Sequence, residues 1–201
     1  MESQEQTWDK ISKKWAKFRT KISPSVEGFL INIKGKVLDV GCGSGRNFIK
    51  LKGIKIFGID FSQKMLDLAK KRAKEIKIKV DLKKAESNNL PFENNYFDAV
   101  LCYALLHCID SKKDRKKTIE EVYRVLKPNG IALISSWGNN SPRLKNKKKE
   151  CFVPWTIRGE DKVERYTYIF SLEELEKLAK NVGFKIINSW EERNVNLIVK
   201  K

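Results

Sequence analysis

Three observations predict a doubly wound α/β fold for this 201-residue chain. Residues 37–45 read VLDVGCGSG, an apolar run carrying an acid and followed at once by three glycines spaced two apart. Strand-like and helix-like segments alternate from there to the end, as parallel sheets require. The length suits one domain, 1–201, with a real hydrophobic core.

Each element has a local cause. Trp8, Ile11, Trp15 and Phe18 fall on one face of a first helix, a spacing that predicts core packing. Ser23 caps a second helix and Pro24 opens it, so the N-terminal helices occupy 1–33. Val37, Leu38 and Val40 make the central strand, with Asp39 near its carboxyl end, where ligands of such sheets bind. Gly41, Gly43 and Gly45 allow a tight turn and close approach of the backbone to a ligand. Residues 46–51 are expected to open a helix whose free N–H groups face that ligand. Neither GxGxxG nor GxxxxGK[ST] is present, which excludes the dinucleotide fingerprint and the phosphate loop.

The second strand ends at Asp60, 21 residues after Asp39, and Ser62 caps the helix 63–73. Ile76, Ile78, Val80 and Leu82 alternate with Lys77, Lys79, Asp81 and Lys83, predicting a third strand with one dry face. The fourth strand is 96–103. Ser111 with Asp114 forms a capping box for a helix reaching Leu126, stopped by Lys127-Pro128-Asn129-Gly130. The fifth strand is 131–137. Ser171 with Glu174 caps the last helix, Gly183 ends it, and two strands joined near Glu192 close the chain. Residues 138–170 read as irregular and too long for a simple connection, hence as a substrate lid.

Charge narrows the partners. Lys and Arg total 42 against 25 acids, giving a net charge of +17 and a pI near 9.7. Lys13, Lys14, Lys17, Arg19 and Lys21 crowd one segment, and Arg143, Lys145, Lys147, Lys148 and Lys149 crowd another. A polyanion is the expected partner; a Lys-rich proteome is the alternative source of the same excess. No stretch approaches the roughly 18 apolar residues of a membrane span, and the N-terminus is polar, so a cytoplasmic protein is expected. Cys42, Cys102, Cys108 and Cys151 show no CxxC pairing and read as buried thiols, with no metal site.

The hydrophobic-Asp-GxGxG segment resembles the first motif of the class I S-adenosylmethionine-dependent methyltransferases. That resemblance implies a Rossmann-like, mostly parallel seven-stranded sheet with an antiparallel last strand, and S-adenosyl-L-methionine as cofactor. It places Asp39, Gly41, Cys42, Gly43 and Gly45 around the cofactor. Asp60 would take the two ribose hydroxyls, since a carboxylate accepts two hydrogen bonds side by side, or else merely cap a helix. Phe61 would lie against adenine, and Glu86, with Ser87 behind it, would reach the adenine amino group or stand solvated. Tyr103 would line the methionine end or pack in the core.

More specifically, nearly the whole chain resembles the tRNA methyltransferases that esterify 5-carboxymethyluridine at the wobble position of the anticodon. The carriers are Arg19, Lys21 and Pro24 before the first strand, Leu106-His107 after the fourth, Arg115, Val153-Pro154-Trp155 and Arg165-Tyr166. A second His, a second Arg and a Trp of that pattern are missing here. The resemblance implies that Arg19 and Arg115 clamp the substrate carboxylate and that His107 donates to substrate or is structural. Trp155 and Tyr166 would stack the uracil, with Lys21 and Arg165 binding substrate. It also implies a tRNA anticodon loop as substrate and a small zinc-binding activator at the sheet edge. A small-molecule methyltransferase and a non-catalytic tRNA-binding module remain the alternatives.

Overall fold

The computed structural model describes residues 3–155 and 163–201. In chain order the elements are α1 (Gln4–Phe18), α2 (Pro24–Leu30), β1 (Gly35–Val40), β2 (Ile54–Asp60), α3 (Gln63–Glu75), β3 (Val80–Lys84) and β4 (Phe97–Tyr103). After a 3-10 turn at Leu106–Cys108 come α4 (Lys112–Val125), β5 (Leu126–Trp137), β6 (Glu150–Trp155), β7 (Val163–Tyr168), α5 (Leu172–Val182), β8 (Lys185–Glu191) and β9 (Asn194–Lys200). Seven of these strands form one sheet in the order β3-β2-β1-β4-β5-β9-β8. Neighbours from β3 to β5 pair in parallel, whereas β9 runs antiparallel to both β5 and β8. This is the doubly wound, mostly parallel sheet with an antiparallel last strand.

Both faces are covered. Leu38, Val40, Phe97, Val100, Cys102 and Ile134 pack with Ile119 and Val122 of α4 and Leu175 of α5. On the opposite face Val37, Ala99, Leu101 and Leu133 meet Val26, Phe29 and Leu30 of α2, while α3 covers Ile56 through Leu66 and Ala69. Fully dry central strands explain their continuous apolar sequences.

Several expectations need correction. Residues 46–51 are not helical: Gly45 and Phe48 donate to the carbonyls of Cys42 and Gly45 at 3.0 and 3.1 Å, giving consecutive tight turns. The chain must reach Gly53, whose carbonyl accepts from Gly35, before β2 begins at Ile54; so short a span cannot repay helix nucleation. The third strand starts at Val80, because Ile76 ends α3 and Lys77 takes a φ of 55°. Ser23 opens α2 without a capping bond from its side chain, whose hydroxyl pairs with the Tyr103 hydroxyl at 2.7 Å instead. Asp114 supplies only half a capping box, since its carboxylate accepts from Asn88.

Residues 127–130 do not separate helix from strand. They form a bulge within β5, where pairing with β4 jumps from Phe97↔Leu126 to Ala99↔Ile131. A Cβ on Gly130 would lie 2.9 Å from the Lys127 carbonyl oxygen, so glycine is required there. The segment 138–170 contains an antiparallel pair, β6 and β7, rather than irregular chain alone. Phe18 is 75 % exposed and is not core.

Candidate functional site

The site is assembled where β1, β2 and β4 end. Gly41, Gly43 and Gly45 hold φ of 69°, 53° and 77°, the left-handed region that disfavours side chains. Their purposes differ. A Cβ built on Gly43 meets nothing within 4 Å, so this glycine faces open space, whereas one on Gly45 would collide with the Phe48 ring at 2.7 Å. Gly41 would strike Leu105 at 2.7 Å. Gly43 therefore leaves room for a ligand, and Gly45 leaves room for packing.

Asp60 organises the turn. Its two carboxylate oxygens accept the backbone N–H groups of Gly43 and Ser62, each at 2.9 Å. Burial raises its pKa to about 6 against the pull of those two donors. Each oxygen still has a free lone pair for an incoming hydroxyl. Asp39 lies one strand over, 1 % exposed, with one oxygen accepting from Asn47 at 3.3 Å and the other without a partner. Burial lifts it to about 7, with Asp60 adding to the rise.

Gly41, Cys42, Gly43, Asp60, Phe61 and Tyr103 line a pocket of about 110 Å³, together with Asn47, Met65 and Cys108. Its roof is α1, through Trp8 and Trp15. That helix is latched to the cap of α3, where the Ser62 hydroxyl donates to Asp9, and to β3 by Glu5 on Lys84 at 2.7 Å, while Arg72 of α3 holds the loop after it by donating to the Thr20 carbonyl at 2.7 Å. Trp8, Trp15, Arg19, Arg46, Tyr103 and Ala104 also line a second cavity of about 1350 Å³, so the two spaces adjoin. The expected core face of α1 buries Ile11 against Val163 and, through Trp8 and Trp15, also forms a wall of the site.

The larger cavity is bounded by Arg143, Lys147, Trp155 and Arg193 and floored by His107, Trp137 and Asn196. His107 is 3 % exposed and stacks on Trp137, with ring centres 4.5 Å apart and planes at 12°. Burial lowers its pKa to about 3, assisted by the charges of Arg165 and Arg19, so the imidazole is neutral and its Nδ1 has no partner. Arg19 ends α1 over the Trp15 ring at 5.0 Å, and burial followed by repulsion from Arg46 and Arg143 lowers its pKa. A guanidinium so placed still carries its charge at neutral pH.

Arg165 is the most unusual group. It is 2 % exposed, with its guanidinium carbon 5.2–5.6 Å from the ring centres of Trp8, Trp15, Trp137 and Trp155. Its Nε and Nη2 have no hydrogen-bond partner. Aromatic faces supply the counter-charge that a carboxylate would otherwise give. The cage ties α1 to the β6–β7 arm.

Eight of the residues assigned to the site from sequence line neither cavity: Asp39, Gly45 and Arg165, placed above, and Arg115, Tyr166, Glu86, Ser87 and Lys21. Arg115 is buried, donating to the carbonyls of Ile109 at 2.7 Å and Asp110 at 3.3 Å and to the Tyr166 hydroxyl at 3.2 Å, and it lies 3.8 Å over the Tyr168 ring. It lines neither cavity; it fastens α4 to β7. Tyr166 is likewise spent on Arg115 and on the core, 8 % exposed, rather than free to stack a base. Glu86 is exposed and Ser87 bonds the Thr118 hydroxyl at 2.9 Å; neither lines a cavity. Lys21 is exposed, and its carbonyl, not its ammonium, enters the local network by accepting Arg46 Nε at 2.7 Å. Among residues the sequence reading did not select, Asn47, Arg46, Trp8, Trp15, Trp137, Asn194 and Asn196 all line the site. The Trp8–Trp15 spacing was the available signal, read there as core.

The model of the methyltransferase domain family matches residues 38–134, from the first strand through the fifth. Residues 38–134 thus carry a methyltransferase domain, and the chain resembles the class I S-adenosylmethionine-dependent methyltransferases. Its fold is that of a solved S-adenosylmethionine-dependent methyltransferase from Methanosarcina mazei, with a TM-score of 0.70 and 23% identity over 90% of this chain and 98% of that one. It is 28% identical over 147 residues to the probable tRNA methyltransferase 9B of Mus musculus, covering 73% of this chain and 30% of that protein. Against the tRNA (carboxymethyluridine(34)-5-O)-methyltransferase of Arabidopsis thaliana it is 30% identical over 132 residues, covering 65% and 31%. This chain therefore spans about a third of the length of these two relatives.

S-adenosylmethionine is the cofactor of this methyltransferase, and the residues at the glycine turn fit it. Gly43 leaves a cradle that any Cβ would fill, Asp60 keeps lone pairs for the ribose hydroxyls, and Phe61 and Met65 offer apolar surface to the base. The four cysteines are free thiols, their pKa values raised by burial. Among the described residues, no cluster of three or more His, Cys, Asp or Glu could hold a metal ion, and no helix is long and apolar enough to cross a membrane.

Proposed function

We propose that this methyltransferase forms the methyl ester of 5-carboxymethyluridine at the wobble position of a cytoplasmic tRNA anticodon. The observation that carries the reading is the cavity of about 1350 Å³ adjoining the cofactor pocket, with Arg19, Arg46, Arg143, Lys147 and Arg193 among its cations and Trp8, Trp15 and Trp155 among its flat walls. Cations suit an anionic group and phosphates; indoles suit a base splayed from a single-stranded loop.

Bound S-adenosylmethionine supplies an electrophilic methyl group. A carboxylic acid with a pKa near 4 is already ionised at neutral pH, so the chain needs no general base. The work of the protein is to hold and align, which contributes up to roughly 7–11 kcal/mol in favourable cases. Arg19, at the junction of both cavities, holds the carboxylate through its guanidinium. His107, neutral and unpartnered at Nδ1, offers a hydrogen bond without adding charge. Trp155 stacks the uracil, and Arg165 keeps that indole in place. The described part of 138–170, with β6 and β7, is the lid over the substrate, residues 156–162 lying outside the described residues, and Arg143 to Lys149 track the loop phosphates.

A heterodimer belongs to the same proposal. The sheet ends at β3, whose open edge carries exposed Lys83 and Lys84, and a small zinc-binding activator pairs there. A purified chain that is monodisperse and fully active alone refutes this partner. Incubation with labelled cofactor and tRNA lacking the modification tests the reaction. An alkali-labile label in the wobble nucleoside supports it, an alkali-stable one overturns it, and labelling that survives ribonuclease treatment of the substrate pool indicates a metabolite acceptor instead.

A further inference from the structure

The floor of the larger cavity carries a row of polar side chains that the reaction above does not use. Tyr103 of β4 sits in register with Ser135 of β5, and Ser135 with Asn196 of β9, so the three occupy one face at adjacent strands. Trp137 and Asn194 pair one step further along the same face. The hydrogen bonds within this row are directional. Asn194 donates through Nδ2 to the Ser135 hydroxyl at 3.1 Å, and Asn196 donates through Nδ2 to the Asn194 carbonyl at 2.9 Å. A carbonyl can only accept, so the Asn196 amide is fixed with its Oδ1 pointing the other way. That Oδ1 is buried and has no partner, in a residue 2 % exposed that lines the cavity.

An acceptor held in place and left unpaired, on a residue that lines a ligand cavity, is matched by a ligand donor that reaches it from that cavity. We propose that Asn196 is the specificity-determining residue for the acceptor base, its Oδ1 accepting the imide N3–H of a uracil. This rests on the reading of the substrate as a modified uridine. The chemistry is selective: uracil presents a donor at N3, cytosine presents a bare acceptor there, and N3-methyluracil presents neither. Either wrong base leaves the buried Oδ1 unpaired, and sites built around such an acceptor reject analogues that cannot satisfy it. The carboxymethyl group leaves the ring from C5, so a base can extend its carboxylate toward Arg19 and Tyr103 while its imide edge faces β9. Neutral His107, stacked on Trp137 beside this row, leaves the pairing to uncharged hydrogen bonds.

The test uses two anticodon stem-loop RNAs, one with 5-carboxymethyluridine at the wobble position and one with its N3-methyl counterpart. Binding is read by fluorescence anisotropy and methyl transfer by labelled cofactor, for the wild-type chain, Asn196→Ala and Asn196→Ser. Wild type is expected to prefer the N3–H base by about 10- to 100-fold in binding and in kcat/KM. In both variants this ratio collapses toward one, while S-adenosylmethionine affinity is retained. A merely structural Asn196 would lower both RNAs equally and leave the ratio intact, which overturns the assignment. Equal binding of the two RNAs by wild type, or no binding of either, overturns it as well. RNA that binds with the expected preference yet is never methylated refutes the proposed reaction but supports the base contact, so the two failures are separable.

Discussion

The two halves of the site are held together by different physics. Around the cofactor, the decisive contacts are main-chain: Asp60 gathers the N–H groups of Gly43 and Ser62, and three positive φ angles set the turn. Around the acceptor, almost nothing is main-chain. Arg165 and four indoles from α1, β5 and the arm hold one another through charge and ring faces, with two guanidinium nitrogens left unpaired. A ligand common to a large family is served by a rigid local turn; a ligand particular to this chain is served by side chains that distant segments contribute.

The contrast can be broken from either side. The largest loss is expected from Asp60→Ala, which frees two buried N–H donors and removes the ribose acceptor; cofactor affinity should fall about 100-fold or more by calorimetry. Arg19→Ala should leave that affinity within about twofold and lower kcat/KM for tRNA by about 10- to 100-fold, since the proposed carboxylate contact is lost along with its stacking on Trp15. Equal losses in both quantities would remove Arg19 from its assigned role. Arg165→Leu should lower tRNA methylation about tenfold while thermal stability changes by no more than about 1 kcal/mol, because replacing a buried ion by an apolar side chain is often neutral. A collapse of the fold in that variant would show that the cage is structural rather than a support for Trp155.

Arg115→Ala is the mirror image: about 2–4 kcal/mol of stability lost by chemical denaturation, with turnover per folded molecule unchanged. A further effect concerns pH. Asp39 titrates near 7 in the folded chain, far above its ordinary value of 3.8, because burial disfavours its charge. The folded state therefore binds more protons than the unfolded state between those values, and stability falls as pH rises through that window. Asn at this position cannot ionise, so Asp39→Asn should gain on wild type as pH is raised from about 4 to about 7 and hold that gain above it. Melting curves of the cofactor-free pair across this range check the sign.

Legibility in the sequence followed the same divide. Glycine spacing, Asp39, Asp60 and the caps at Ser62, Ser111 and Ser171 act on chain neighbours, so composition and spacing reveal them. The turns at 43–47 were harder, since a helix signal and a tight-turn signal differ only in how soon Gly53 must be reached. Arg115 and Tyr166 could not be separated from Arg19 and Trp155 by motif order, because what distinguishes them is which way each faces once α4 and β7 pack. Asn196 was silent for a related reason: an asparagine in an alternating strand announces nothing until register sets it opposite Ser135.

The indole cage has one practical corollary. Of the five tryptophans, Trp8, Trp15, Trp137 and Trp155 surround a single guanidinium at the acceptor cavity, and only Trp190 lies elsewhere, on the sheet face behind α2. Ultraviolet emission from this protein is accordingly a spectroscopic window onto one wall of the larger cavity, and a ligand entering that cavity should change it more than one binding elsewhere.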